Sequence, residues 1–162
     1  MKTINLTQGQ FTIVSDKYYK YLIQWKWWAK KVISGKFYVV RNERVNGKNK
    51  TIYMHRVIAE LMDLDLSCDI DHKDRDSLNN TCENLRSATK SGTCQNRGKQ
   101  RNNTSGHPGV SWRKKKVKWE AYIRVNHKRK HLGYFDNMEE AAKVYEEASV
   151  NYFGEFSPLK EK

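Results

Sequence analysis

Between Asp69 and Arg97 an aspartate and a histidine stand side by side at Asp71-His72, and an asparagine follows twelve residues after the histidine at Asn84. Hydrolysing a phosphodiester requires a nucleophilic water and a way to neutralise the charge that builds on the phosphate and the leaving oxygen. A neutral imidazole serves as general base near neutral pH, which makes His72 the candidate base. A hard divalent cation held by oxygen ligands bridges a scissile phosphate and stabilises the departing 3′ oxygen, which makes Asp71 the candidate carboxylate ligand. A lone Asp-His pair is more often part of a solvated loop, so the weight rests on the ordered set.

Asp71-His72, Asn79-Asn80 and Glu83-Asn84-Leu85-Arg86 match, in order and spacing, the ββα-metal finger of HNH endonucleases, and the stretch resembles the subgroup common among phage and intron-encoded homing enzymes. The resemblance implies a DNA endonuclease that uses Mg²⁺ or Mn²⁺. It gives Asn84 the task of keeping the finger loop and the base in place, and asks for a further metal ligand, Asn or His, on the helix that follows. Nine residues beyond Asn84, where the family's helix asparagine usually falls, this chain has Thr93; the asparagine stands three residues later at Asn96. Residues three apart share a helix face, so either side chain is a candidate. The departure leaves a second class open, a DNA-binding regulator whose finger is catalytically impaired. His55 matches a histidine that commonly precedes the finger; structural and supporting roles both fit it.

The elements that must position these residues are short. Alternation at Thr3-Ile4-Asn5-Leu6 and Phe11-Thr12-Ile13-Val14 predicts two half-buried strands, and Ser15-Asp16 can cap a helix through Tyr19, Leu22 and Ile23. Trp25, Trp27 and Trp28 read as core. Lys36 to Met54 reads as a hairpin turning at Asn46-Gly47, which delivers the chain to a helix over His55–Leu61. Within the finger the expectation is a strand ending at Asp71-His72, a polar loop with Asn79-Asn80, a second strand-like piece over Glu83–Arg86, and a helix over Ser87–Arg97.

Gly98 to Pro108 is almost free of apolar residues and reads as a linker. Beyond it, strands are expected at Val110–Lys114, Trp119–Val125 and Lys130–Phe135. A helix capped by Asp136 or Asn137 is expected over Met138–Phe153, packing through Ala141, Ala142, Tyr145 and Ala148. Gly109-Val110, Trp119 to Arg124, Leu132 to Phe135 and Glu139 to Tyr145 together resemble the Apetala-two or ethylene-response-factor type of DNA-binding domain. That resemblance implies a sheet whose face opposite the helix enters the major groove. Strand alternation leaves Arg113, Tyr122 and Arg124 outward. The implied DNA contacts are Arg113, Lys115, Tyr122, Arg124, Arg129, Lys130 and His131, the arginines being able to neutralise phosphates and to read guanine edges. Ser111 and His131 depart from the plant members, so no base preference carries over.

The bulk numbers agree with a polyanion as partner. Lys and Arg total 31 against 18 Asp and Glu, a net charge of +13, with a mean hydropathy of −0.91. Charge alone would also fit a ribosomal protein or a membrane-surface binder. No run of apolar residues is long enough to cross a membrane, and the N-terminus lacks the apolar core of a signal peptide, so a cytoplasmic protein of a bacterial or phage-infected cell is expected. Cys68, Cys82 and Cys94 form no C-x-x-C pair and read as reduced thiols.

The expected fold class is therefore α+β: an HNH domain over 1–98 with small N-terminal strands, a hairpin and a ββα finger at about 67–98, a basic linker over 99–108, and a three-stranded antiparallel sheet packed on one helix over 109–162. The expected partner is double-stranded DNA, bound by a monomer or a DNA-dependent dimer. No organic cofactor is expected.

Overall fold

In the computed structural model, which describes residues 1–96, 103–126 and 128–157, the alternating N-terminal segments pair as antiparallel strands β1 (Lys2–Asn5) and β2 (Phe11–Val14). Helix α1 (Asp16–Leu22) follows, and β3 (Trp28–Lys31), β4 (Phe37–Val45) and β5 (Lys48–Tyr53) form a three-stranded antiparallel sheet. Asn46 and Gly47 take φ values of 50° and 77° at the β4–β5 turn, the mirror-image conformation that an Asn-Gly hairpin demands. β5 runs directly into α2 (Met54–Leu61).

The strands around the chemical residues are β6 (Asp69–His72), β7 (Asn79–Asn80) and β8 (Leu85–Ala88), and the next helix, α3, covers Lys90–Gln95. Two local expectations are corrected. Asn79-Asn80 is not loop but a two-residue strand lying parallel to β2, with Ile13 opposite Asn79 and Val14 opposite Asn80. The second strand extends to Ala88, because Ser87 and Ala88 pair with Ile70 and Asp69, so the helix begins later than Ser87.

The chain divides into two compact units, Met1–Lys90 and Ser91–Lys162. The first unit is built on one apolar core of Val14, Leu22, Trp27, Val39, Met54, Ile58 and Leu85. Side chains of this size contribute about 1.5–3 kcal/mol each when fully buried. Two of the three tryptophans join the core: the Trp27 indole donates to the Leu22 carbonyl at 2.8 Å, and Trp25 packs against the cluster, whereas Trp28 is half-buried on β3.

In the second unit β9 (Val110–Arg113), β10 (Lys118–Val125) and β11 (Lys128–Phe135) form an antiparallel sheet in the order β11-β10-β9. Helix α4 (Met138–Phe153) packs Ala141, Ala142 and Ala148 onto Val110, Ala121 and Ile123. Of the two candidate caps, Asn137 is the one used, accepting from the Glu139 amide at 2.8 Å. Arg97, at the end of the expected finger helix, and residues 98–102 of the expected linker lie outside the described residues. Its end is a hydrogen-bonded loop, because the Ser105 hydroxyl, 9% exposed, donates to the Val110 carbonyl at 2.8 Å while the Asn103 amide donates to the His107 carbonyl. The fold is thus mixed α+β with several small sheets and few helices. No helix among the described residues is long and apolar enough to cross a membrane.

Candidate active site

The antiparallel β6–β8 ladder sets Asp71 opposite Arg86 and His72 opposite Leu85. Successive strand residues point to opposite faces, so the aspartate and the histidine meet different neighbours. Asp71 and Arg86 are both buried, and the guanidinium grips one carboxylate oxygen, Oδ2, from Nε at 3.0 Å and from Nη2 at 2.8 Å. The sequence reading quoted Arg86 only as part of a motif; an arginine one cross-strand step from a candidate metal ligand was the available signal.

His72 is 7% exposed and its Nε2 lies 3.3 Å from Oδ1 of Asn80, itself 1% exposed. The Asn80 amide nitrogen donates to the Thr12 hydroxyl at 2.9 Å and to the Ser77 carbonyl at 3.4 Å. Thr12 in turn donates to the Leu78 carbonyl at 2.6 Å. The Asn80 oxygen therefore has to accept, so Nε2 of His72 carries the proton and Nδ1 holds the lone pair. This network was not foreseen. Its members come from β2 and β7, strands more than sixty residues apart, and only their parallel pairing joins them.

Burial lowers the His72 pKa and outweighs the Asn80 hydrogen bond and the charges of Asp74, Asp71 and Asp76, which all raise it. The imidazole is consequently neutral at pH 7. His55, in the first turn of α2, sets its ring edge-on to that of His72 with centroids 5.4 Å apart, and stands between it and the rings of Tyr53 and Tyr38. Burial first, then repulsion from His72 and Arg56, brings the His55 pKa down to about 3.

Asn84 organises the loop that follows His72. Its side-chain oxygen accepts from the Asp74 amide at 3.0 Å, its nitrogen donates to Asp74 Oδ1 at 2.9 Å and to the Asn79 carbonyl at 2.7 Å, and its own carbonyl accepts from the Lys73 amide. The loop-holding task that the resemblance assigned to Asn84 suits these bonds, while the side-chain bond to the imidazole comes from Asn80. Thr93 and Asn96 fall in the second unit, Thr93 within α3 and Asn96 one residue past its end. Asn96 is 4% exposed, with its amide bonded to the Gly92 carbonyl at 3.0 Å.

The donor set can be tested against a divalent cation. Among the described residues no three His, Cys, Asp or Glu side chains gather into a cage. A single carboxylate with amide or hydroxyl oxygens suits a hard ion whose shell is completed by water and substrate phosphate, the usual habit of Mg²⁺, and the chain offers no thiolate set for zinc. On this chemistry the Asp71 carboxylate fits.

The second unit presents the other expected residues. Arg113, Tyr122, Arg124, Arg129 and His131 share the sheet face turned away from α4, since Tyr122 pairs with His131 and Arg124 with Arg129 while Ala121 and Ile123 face the helix core. Lys115 is exposed in the β9–β10 turn. Lys130 departs from that face: it pairs with Ile123, and its amine sits 4.5 Å above the Tyr152 ring of α4. At the centre of the face is Glu120, a motif residue to which no role was assigned from sequence. It is 6% exposed and hydrogen-bonded by Arg113, by Arg129 at 2.8 Å and by His131 at 3.2 Å.

Residues 52–93, about a quarter of the chain, match the profile of the family described as HNH endonuclease. The segment spans α2, β6, β7, β8 and part of α3, so it takes in Asp71, His72, Asn80 and Asn84. The chain is also 33% identical over 76 residues to a protein named Protein 3.8 from Escherichia phage T7. That match covers 47% of this chain and 63% of the phage protein.

Proposed function

We propose that the protein is a metal-dependent endonuclease that hydrolyses phosphodiester bonds in duplex DNA, of the homing type carried by phages and mobile elements. The observation that carries the reading is a buried histidine, kept neutral by burial and fixed as one tautomer by Asn80, within a segment similar to HNH endonucleases. His72 Nδ1 is the atom that takes a proton from the attacking water. Asn84 keeps the loop after the base closed, and Asp71 would hold the cation through its carboxylate; the family resemblance asks for the further ligand at Thr93 or Asn96. When bound, that Mg²⁺ or Mn²⁺ supplies Lewis-acid neutralisation of the phosphate and the leaving oxygen. The basic sheet of the second unit, similar in its motifs to Apetala-two domains, serves as an anchor on DNA. Tethering raises the effective concentration of the catalytic residues near one site.

A second reading is favoured by the Arg86 guanidinium on Asp71, which opposes a cation at that carboxylate, and by Thr93 where the family has asparagine. In it the protein binds DNA as a regulator. Purified protein with Mg²⁺ or Mn²⁺ is expected to nick or cut supercoiled plasmid, EDTA to stop it, and His72→Ala to abolish cutting while binding persists. Tight binding with no cleavage under either metal would establish the regulator instead.

A further inference from the structure

Glu120 is an odd residue to find where it is. It lies at the middle of the central strand, on a sheet face whose other charged groups are cations, and its side chain is 8% exposed whereas those of Arg113, Arg129 and His131 are 42%, 42% and 46% exposed. A surface serving only to attract phosphates gains nothing from a carboxylate at its centre. Burying one also costs desolvation that its three partners must offset.

What the carboxylate does is fix the atoms around it. Oε2 accepts from Arg113 Nε and from Arg129 Nη2, and Oε1 lies 3.2 Å from His131 Nδ1. An arginine anchored through Nε keeps its two terminal nitrogens as a parallel fork, the arrangement that reads O6 and N7 of guanine. Arg129 is anchored through a terminal nitrogen instead, and its guanidinium lies 3.9 Å above the Tyr122 ring, so it has no complete end-on fork to offer. A carboxylate only accepts, so His131 donates from Nδ1 and turns Nε2 outward, an acceptor whenever the ring carries a single proton. That atom suits the exocyclic amine of adenine or cytosine. Arg113 is on β9 and His131 on β11, two strand spacings or about 10 Å apart, within a major groove about 12 Å wide.

We infer that Glu120 is a positioning residue for base readout: it holds Arg113 and His131 as a fixed donor–acceptor array for the major groove of duplex DNA, while Arg124 and Lys115 contact phosphates. The inference rests on the reading of this sheet as the DNA anchor. Holding the side chains in place before binding removes the rotamer cost that loose arginines would incur on the duplex.

The test uses the full chain in EDTA, equilibrated with a randomised 30-base-pair duplex pool whose bound fraction is sequenced. Wild type should enrich a site containing a guanine. Glu120→Gln removes one negative charge and keeps the side chain's shape. It should bind the unselected pool as tightly or up to a few-fold more tightly, lose about tenfold or more of the preference for the enriched site, and steepen the salt dependence by about one phosphate contact as a released arginine turns to the backbone. Arg113→Lys, on an exposed side chain, should lose the guanine at one position alone. An unchanged ratio of site to pool in Glu120→Gln, or an equal loss on both with a lower melting temperature, overturns the inference and leaves Glu120 a structural residue. If Arg124→Ala with Lys115→Ala leaves pool binding untouched, the anchor reading itself is wrong. Preferential binding of a matched RNA pool would overturn both.

Discussion

At the scale of single residues, the proposed hydrolysis depends on which nitrogen of His72 carries the proton, and Asn80 decides it. Because the Asn80 amide is tied to Thr12 and Ser77, its oxygen can only accept, and the imidazole has one stable tautomer. Removing that acceptor lets the ring rotate and swap protons. Asn80→Ala is expected to lower kcat for plasmid cleavage about 10- to 100-fold with little change in KM, since Asn80 is buried away from solvent. The pH profile separates positioning from mere packing. The Asn80 bond raises the His72 pKa, so its loss should move the acid limb of kcat to lower pH, and Asn80→Asp, a stronger acceptor bearing charge, should move it higher. Identical limbs in both variants would show that Asn80 only fills space. Asp71 has a parallel question in Arg86: if the guanidinium opposes the cation, Arg86→Gln should lower the Mg²⁺ concentration needed for half-maximal cutting, and a raised requirement would mean that Arg86 instead orients the carboxylate.

At the scale of elements, close backbone approach limits what the second unit tolerates. Gly109 has φ of +67°, and a side chain there would meet the Tyr145 ring at 2.2 Å and the Tyr122 carbonyl at 2.4 Å. Both the angle and the space exclude a Cβ, so Gly109→Ala should destabilise this unit by at least about 2 kcal/mol and lower its thermal midpoint by roughly 10 °C. A midpoint within a degree of wild type would refute the packing described. The same elements explain what the sequence made legible. Period-two alternation and the Asn46-Gly47 turn gave away the β4–β5 hairpin, and the strands and helix of the second unit were readable because each carries its own pattern. Two features were not local and stayed hidden: the parallel β2–β7 pairing that brings Thr12 to Asn80, and the irregularity at Ala121/Tyr122 in the β10–β11 register. That irregularity lets His131 and Tyr134, three residues apart, meet on one face with tilted rings and centroids 4.5 Å apart. Lys130 was placed by motif likeness on the face of Arg129 and His131, although plain alternation puts it on the other.

At the scale of the whole molecule, the burial that keeps His72 neutral carries a cost in acid, and the cost falls unevenly on the two units. His55 has a folded pKa of about 3 against an ordinary value of 6.5, and that of His72 is lowered as well. In each case the unfolded chain binds the proton more readily, so stability present above pH 6.5 is lost as the pH falls from there toward the folded value. For His55 this amounts to about 2 kcal/mol at pH 5. Glu120 in the second unit runs on a different window. Burial raises its pKa, but the hydrogen bonds from Arg113 and His131 and the charges of Arg129 and Arg113 prevail and lower it, so the stability it contributes is present above pH 4.5 and lost as the pH falls through its lower folded value. Between pH 6.5 and 4.5 the first unit should therefore loosen before the second. Hydrogen exchange resolved by peptide is the suitable measurement: at pH 5, compared with pH 7 after correction for intrinsic rates, protection should drop in β6, β8 and α2 more than in β9, β10 and β11. His55→Phe should shrink that drop, because an aromatic ring of similar size keeps the contact with Tyr53 and has no proton to bind. Uniform loss across both units, or a His55→Phe protein as acid-sensitive as wild type, would show that these imidazoles do not control the acid limit.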